Sequence, residues 1–154
     1  MSGNNRTSLT PTRQALTLAA PFAVGAIGTT VAFLLFRSSF AGQVATHFTL
    51  EGNANGFSSP GAALGQYLLV FLIETIGIGA ALVSAKTAVI TVRALGVFAW
   101  GLASATACLF VLAMWVSTAT EGQDMRLSIQ QVVIAAGVGL AVAVAGWLIS
   151  RERA

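Results

Sequence analysis

Four long apolar runs, at positions 15–36, 62–85, 94–118 and 129–149, alternate with shorter polar segments. At ~1.5 Å rise per residue each makes a helix that can cross a ~30 Å hydrocarbon core. The pattern predicts an all-α integral membrane protein: four transmembrane helices in a compact bundle, with a short extracytoplasmic loop or hairpin between the first two. Residues 1–14 and 150–154 read as polar tails. Several boundaries carry a start signal. Thr10-Pro11 and Ser59-Pro60 each place a hydroxyl at an N-cap and proline at the first helical position, where its missing N–H costs nothing. Ser128 followed by Gln131 fits a capping box that opens the fourth run. Pro21 lies inside the first run and is expected to kink it. That run exceeds the apolar core of a signal peptide, so the weak Ser39-x-Ala41 site is expected to stay uncut and the segment to remain as an anchor.

The polar stretch 37–61 has its own periodicity. Val44, Thr46, Phe48 and Leu50 alternate with Gln43, Ala45, His47, Thr49 and Glu51, as along an extended strand. Gly52 to Gly56, with Asn53 and Asn55 between, reads as the turn of a small hairpin on the membrane surface. In that arrangement Phe48 and Phe57 pack across the hairpin, and His47 shares the opposite face with Glu51.

Composition agrees with the apolar pattern: 56% of residues are hydrophobic and 8% charged, far below the charge of a soluble domain. The net charge of +3 comes from cations scattered singly, with no basic stripe, which argues against nucleic acid. They report topology instead. Arg6, Arg13, Lys86, Arg93, Arg151 and Arg153 fall on one side of a four-span arrangement, against Arg37 and Arg126 on the other. By the positive-inside rule both termini are cytoplasmic in the plasma membrane and the His47 loop faces outward. Lys86 to Arg93 is then an interfacial link, and Glu121, Gly122 and Asp124 an outer turn. Small residues recur at four-residue spacing, as Gly77-Ala81-Ala85, Ala99-Ala103-Ala107 and Ala135-Gly139-Ala143, a spacing at which helices approach closely.

The run Thr46-His47-Phe48, then Gly52, then Gly56-Phe57-Ser58 resembles the signature of a prokaryotic membrane domain of unknown function that also forms the N-terminal part of SdpI-type immunity and signalling proteins. The likeness covers residues 15–85, two spans and the loop 37–61 between them, and leaves 94–149 as a second helical pair. It differs from the usual pattern in having no proline before His47, Phe57 where tryptophan is commoner, and Pro60 in place of a frequent lysine. The Gly-x-Arg-Thr box of the full immunity proteins has no counterpart in the second half. The resemblance implies a membrane sensor or protective module whose outer loop, Thr46, His47, Phe48, Gly52, Gly56, Phe57 and Ser58, recognises a peptide, a lipid or a membrane-protein partner.

Glu74, midway along the second run, is the residue a bilayer tolerates least. An ionised carboxylate there costs about 2.5 to 3.5 kcal/mol on insertion scales, so an intramembrane acid is a functional candidate. It shares a helical face with Tyr67, Phe71, Gly77, Ile78 and Ala81, and Thr29, Thr30, Ser104 and Thr106 are its candidate partners, all neutral. Two readings stay open: a proton or cation relay, or a neutral hydrogen-bonded packing acid. The first makes the chain a proton-linked transporter component, which with four spans requires a homo-oligomer or a partner. His47, the lone histidine, serves as a hairpin hydrogen bond, a pH-sensitive contact or, with Glu51, two ligands of an incomplete metal site. The single cysteine, Cys108, offers no disulfide or metal set, so neither metal nor cofactor is expected. No hydrolase, metalloprotease or phosphate-loop motif is present, and a non-enzymatic role is expected.

Overall fold

The computed structural model describes residues 11–84, 92–119 and 124–152, with side chains from 14 to 151. The expected tail 1–10 with its Thr10 cap, most of the 86–93 link, the Glu121-Gly122 turn and Arg153 lie outside the described residues. Four helices carry the fold: α1 (Pro11–Phe36), α2 (Pro60–Ser84), α3 (Val92–Ala119) and α4 (Ile129–Glu152). Each is long and apolar enough to cross a membrane, which makes this a multi-pass membrane protein. Between α1 and α2 stand a 3-10 turn (Arg37–Ser39) and an antiparallel hairpin of β1 (Val44–Phe48) and β2 (Ala54–Ser58).

The helix starts follow local chemistry. Pro60 is the first residue of α2, and Ala63 N–H donates to the Ser59 carbonyl at 2.9 Å. At the start of α4 the capping box closes in both directions. Ser128 N–H donates to Gln131 Oε1 at 2.7 Å and Gln131 N–H to Ser128 Oγ at 3.3 Å, satisfying two donors that a helix start would leave orphaned. α1 continues unbroken through Pro21, which is itself buried.

α1 and α4 pack along α3, and α2 packs on α1. One core cluster joins Leu18, Phe22, Phe71, Ile78, Leu95, Ala99 and Ala103; a second, nearer the hairpin, joins Phe33, Val44, Ala63, Tyr67 and Met114. Phe110 binds the two together, stacked on Tyr67 with ring centroids 4.4 Å apart and edge-on to Phe71 at 5.7 Å.

The small-residue rows divide. Ala99 and Ala103 are buried in the core, and α3 meets α4 where a Cβ built on Gly139 would come within 2.6 Å of the Gly101 carbonyl oxygen. Both glycines are needed for this approach. The described part of the α2 row does not pack: Gly77 and Ala81 are exposed and nothing lies within 4 Å of a Cβ on Gly77, while Ala85 lies outside the described residues. The buried face of α2 is set by its large residues, Tyr67, Phe71 and Ile78, of which the two rings pack directly on Phe110; between helices in a bilayer such packing contacts, not removal from water, decide which face turns inward.

The hairpin corrects the expected alternation. Val44 and Ala45 are adjacent and both fully buried. The first end of β1 is covered on both faces, Val44 by the second core cluster and Ala45 by a third made of Ala54, Val116, Met125 and Leu127. A strand buried on both faces loses the in-out pattern of a surface strand.

Candidate functional site

β1 is fastened to the bundle through one residue. The Tyr67 hydroxyl donates to the Ala45 carbonyl at 2.7 Å, and Ala45 N–H donates to Ser117 Oγ at 3.1 Å. Ser117 completes its own bonding by donating to the Ala113 carbonyl at 2.9 Å. All of these groups are buried, where an unpaired backbone polar atom is costly, so the pair of bonds fixes the strand across the ends of α2 and α3.

The turn falls earlier than the glycine pattern predicted. Thr49 N–H donates to the Asn53 carbonyl at 2.8 Å, Gly52 N–H to the Thr49 carbonyl at 2.9 Å, and Gly52 takes φ +85°. Gly56 sits within β2 instead. A third segment joins the edge: Leu127 N–H donates to the Gly52 carbonyl at 2.8 Å, and Ala54 N–H to the Met125 carbonyl at 2.9 Å. Through these bonds the α3–α4 connection extends the hairpin sheet, with Asn53 bridged to Arg126. Gly52 is required twice over, for its positive φ and because any Cβ would strike the Leu127 carbonyl.

All seven loop residues singled out in the sequence lie in this hairpin: Thr46, His47 and Phe48 in β1, Gly56, Phe57 and Ser58 in β2, and Gly52 in the turn. Phe48 and Phe57 border the third core cluster, but they do not oppose one another. Two irregularities in the ladder put Phe48 opposite Ala54 and Phe57 opposite Ala45. His47 is exposed and faces Gly56, where a Cβ would come within 2.9 Å of its own Cβ and Nδ1. Thr46 Oγ1 lies 3.3 Å from His47 Nδ1. Ser58 Oγ accepts from Gln66 Nε2 at 3.1 Å. Glu51 leaves the strand face expected for it and joins the exposed turn, where the Thr49 hydroxyl and its own backbone amide hold its carboxyl below the usual 4.5.

Beneath the turn opens an apolar cleft of about 380 Å³, walled by Phe48, Leu109, Leu127, Ile129 and Val132 and rimmed by Thr49 and Glu51. Leu50 stands above it, fully exposed. The clamp residues Tyr67 and Ser117 and the Met125–Leu127 wall were not among the expected site residues. Their only trace is position: a tyrosine and a serine near the ends of apolar runs that face the same loop.

Glu74 is half-buried in α2, and its Oε1 accepts from the Thr106 hydroxyl at 2.6 Å. Its Oε2 is buried without a hydrogen-bond partner. Of the other expected partners, Thr30 donates to the Ala26 carbonyl at 2.8 Å, Ser104 lines a separate cleft against α1, and Thr29 Oγ1 is buried and unbonded. Among the described residues no group of three His, Cys, Asp or Glu side chains is placed to share a metal ion. Comparison of the chain with protein-family models, with curated proteins and with solved structures gives no match.

Proposed function

We propose that this protein is a non-enzymatic sensor or protective module of the plasma membrane, related to the SdpI-type membrane domain, with its hairpin outward and both termini in the cytoplasm. One observation carries the reading: the turn projects Leu50 into solvent directly over a cleft walled by the hairpin, α3 and α4. Leu50 and the apolar walls of the cleft form one contiguous groove with a polar rim, the kind of surface that marks a binding site. An amphipathic ligand seated there, a peptide or a lipid of the envelope, touches the hairpin and the second helical pair together, so its binding is felt by both halves of the bundle.

The test is a photo-crosslinking residue at Leu50 in living cells, with one at exposed Gln43 as control. The reading requires a defined adduct from Leu50 that is absent from Gln43. Single cysteines at Asn55 and Ser84, in a Cys108→Ser background, fix orientation: an impermeant thiol reagent should label Asn55→Cys from outside and Ser84→Cys only after the membrane is opened. Labelling in the reverse order, or identical adducts from both crosslinker sites, would sink the proposal.

A second reading rests on the unpartnered Glu74 Oε2. A buried carboxyl oxygen without a donor is a place where a proton can reside, as a component of a proton-linked transporter requires. A proton-dependent phenotype lost in a normally inserted Glu74→Gln protein would favour it over the sensor.

A further inference from the structure

At the end of the bundle remote from the hairpin, the start of α3 and the end of α4 enclose a recess of about 310 Å³ lined by Arg93, Ala94, Val97, Trp147 and Arg151. Its two cations are held in place. Arg93 Nε donates to Ser150 Oγ at 2.8 Å, and the Arg151 guanidinium lies 4.3 Å from the centroid of the Trp147 ring. The Ser150 bond uses one of five guanidinium N–H groups, and a guanidinium stacked on an indole keeps its in-plane donors at its edge.

A wholly apolar groove of about 290 Å³ follows between the same two helices, lined by Phe98, Leu102, Ala136, Leu140 and Ala143. On α4 the residues of both, Ala136, Leu140, Ala143, Trp147 and Arg151, recur every three or four positions and form one stripe. The close contact of Gly101 with Gly139 floors the groove. Two arginines beside an interfacial tryptophan, continued by an apolar channel toward mid-membrane, match a molecule with a phosphate diester at one end and a hydrocarbon chain at the other.

We infer that Arg93, Arg151 and Trp147 form a binding site for an anionic glycerophospholipid, with its phosphate between the guanidinium groups and one acyl chain along the α3–α4 groove. This goes beyond the sensor reading and does not depend on it, because the recess and the hairpin are at opposite ends of the helices. It also holds for whichever leaflet meets this end.

The experiment uses the full chain in phosphatidylcholine bilayers, with Trp100→Phe and Trp115→Phe leaving Trp147 as the only tryptophan, excited selectively over Tyr67. Phosphatidylglycerol brominated on its acyl chains is titrated at low mole fraction, and brominated phosphatidylcholine is titrated in parallel. Two arginines near the headgroup plane favour the anionic lipid by roughly tenfold or more, so its quenching should reach half-effect at a correspondingly lower mole fraction. Arg93→Gln with Arg151→Gln should merge the two curves, whereas Arg93→Lys with Arg151→Lys should keep most of the separation. Should the double Gln protein not reconstitute, Arg151→Gln alone decides, since it removes no hydrogen bond between the helices and must still reduce the preference by about threefold or more. Coincident curves in the parent protein, or a preference that survives loss of the arginines, would overturn the assignment. Displacement by millimolar inorganic phosphate would overturn it too, by assigning the recess to a soluble anion.

Discussion

Tyr67 and Ala45 are joined by a 2.7 Å hydrogen bond from the phenol to the backbone carbonyl, so a side chain of the second membrane helix holds the first strand of the hairpin. With Ser117 accepting from the amide of the same alanine, both polar poles of Ala45 are occupied by helices. Tyr67→Phe and Ser117→Ala should each cost about 1 to 3 kcal/mol, the penalty for leaving one buried backbone group unpaired. Because both act on one residue, the double variant should cost less than the sum. Thermal unfolding in detergent measures the cost. A hairpin as resistant to protease in both variants as in the parent would refute the clamp.

Gly42 and Gly52 both take positive φ, at +99° and +85°, but only Gly52 has a neighbour in the way. Gly42→Ala should therefore cost about 1 to 2 kcal/mol, from backbone strain alone. Gly52→Ala carries the same strain and must also push away the Leu127 carbonyl, breaking the bond between Leu127 N–H and the Gly52 carbonyl. It should be the worse by roughly another 1 to 3 kcal/mol and should lower protein levels in the membrane. Equal melting temperatures for the two variants would count against the third segment of the sheet.

The Glu74–Thr106 pair makes an asymmetric prediction. Glu74→Gln keeps an acceptor for the Thr106 hydroxyl at nearly the same volume, and stability should change little. Thr106→Val removes the one donor on the acid and leaves both carboxyl oxygens, one of them buried, without a hydrogen-bond partner. A loss of about 1 to 3 kcal/mol is expected. If Glu74→Gln is instead the more damaging change, the acid is not a neutral packing group.

His47 and Phe48 are adjacent and should respond in opposite ways. Phe48→Ala removes a ring that borders a buried cluster, and about 1 to 3 kcal/mol of stability should go with it, seen as reduced abundance. His47 is exposed and its one recorded polar contact, with Thr46, is 3.3 Å, so His47→Ala should leave abundance unchanged. If the exposed face is the recognition surface, phenotype is lost while protein level is kept. Loss of abundance in the His47 variant would mark this residue as structural.

What was legible in the chain was whatever local chemistry decides. Ser128 and Gln131 cap each other because three-residue spacing suffices, and Pro60 opens α2 because its missing N–H costs nothing in a first turn. The partner of Glu74 could be narrowed to four hydroxyls and proved to be one of them. The turn was misplaced because Gly52 and Gly56 look alike locally. Their roles differ through Leu127, which reaches Gly52 from another loop. Likewise, strand register was set by Val116, Met125 and Leu127 taking Ala45 and Ala54 into their cluster, a long-range choice that overrides alternation. The α2 small-residue row misled for the opposite reason: spacing permits close approach but does not require it.

The bonds from Met125 and Leu127 to the hairpin edge also set an order of assembly. During synthesis the hairpin precedes α2 in the chain, yet the partners of its outer edge, Met125 and Leu127, are made only after α3, and the floor beneath Ala54 combines them with Val116 of α3. Until the ribosome has delivered the α3–α4 connection, the hairpin stands with the Ala54 amide and the Gly52 carbonyl unpaired along its outer edge. The loop between the first two spans is therefore completed only by chain that follows the third.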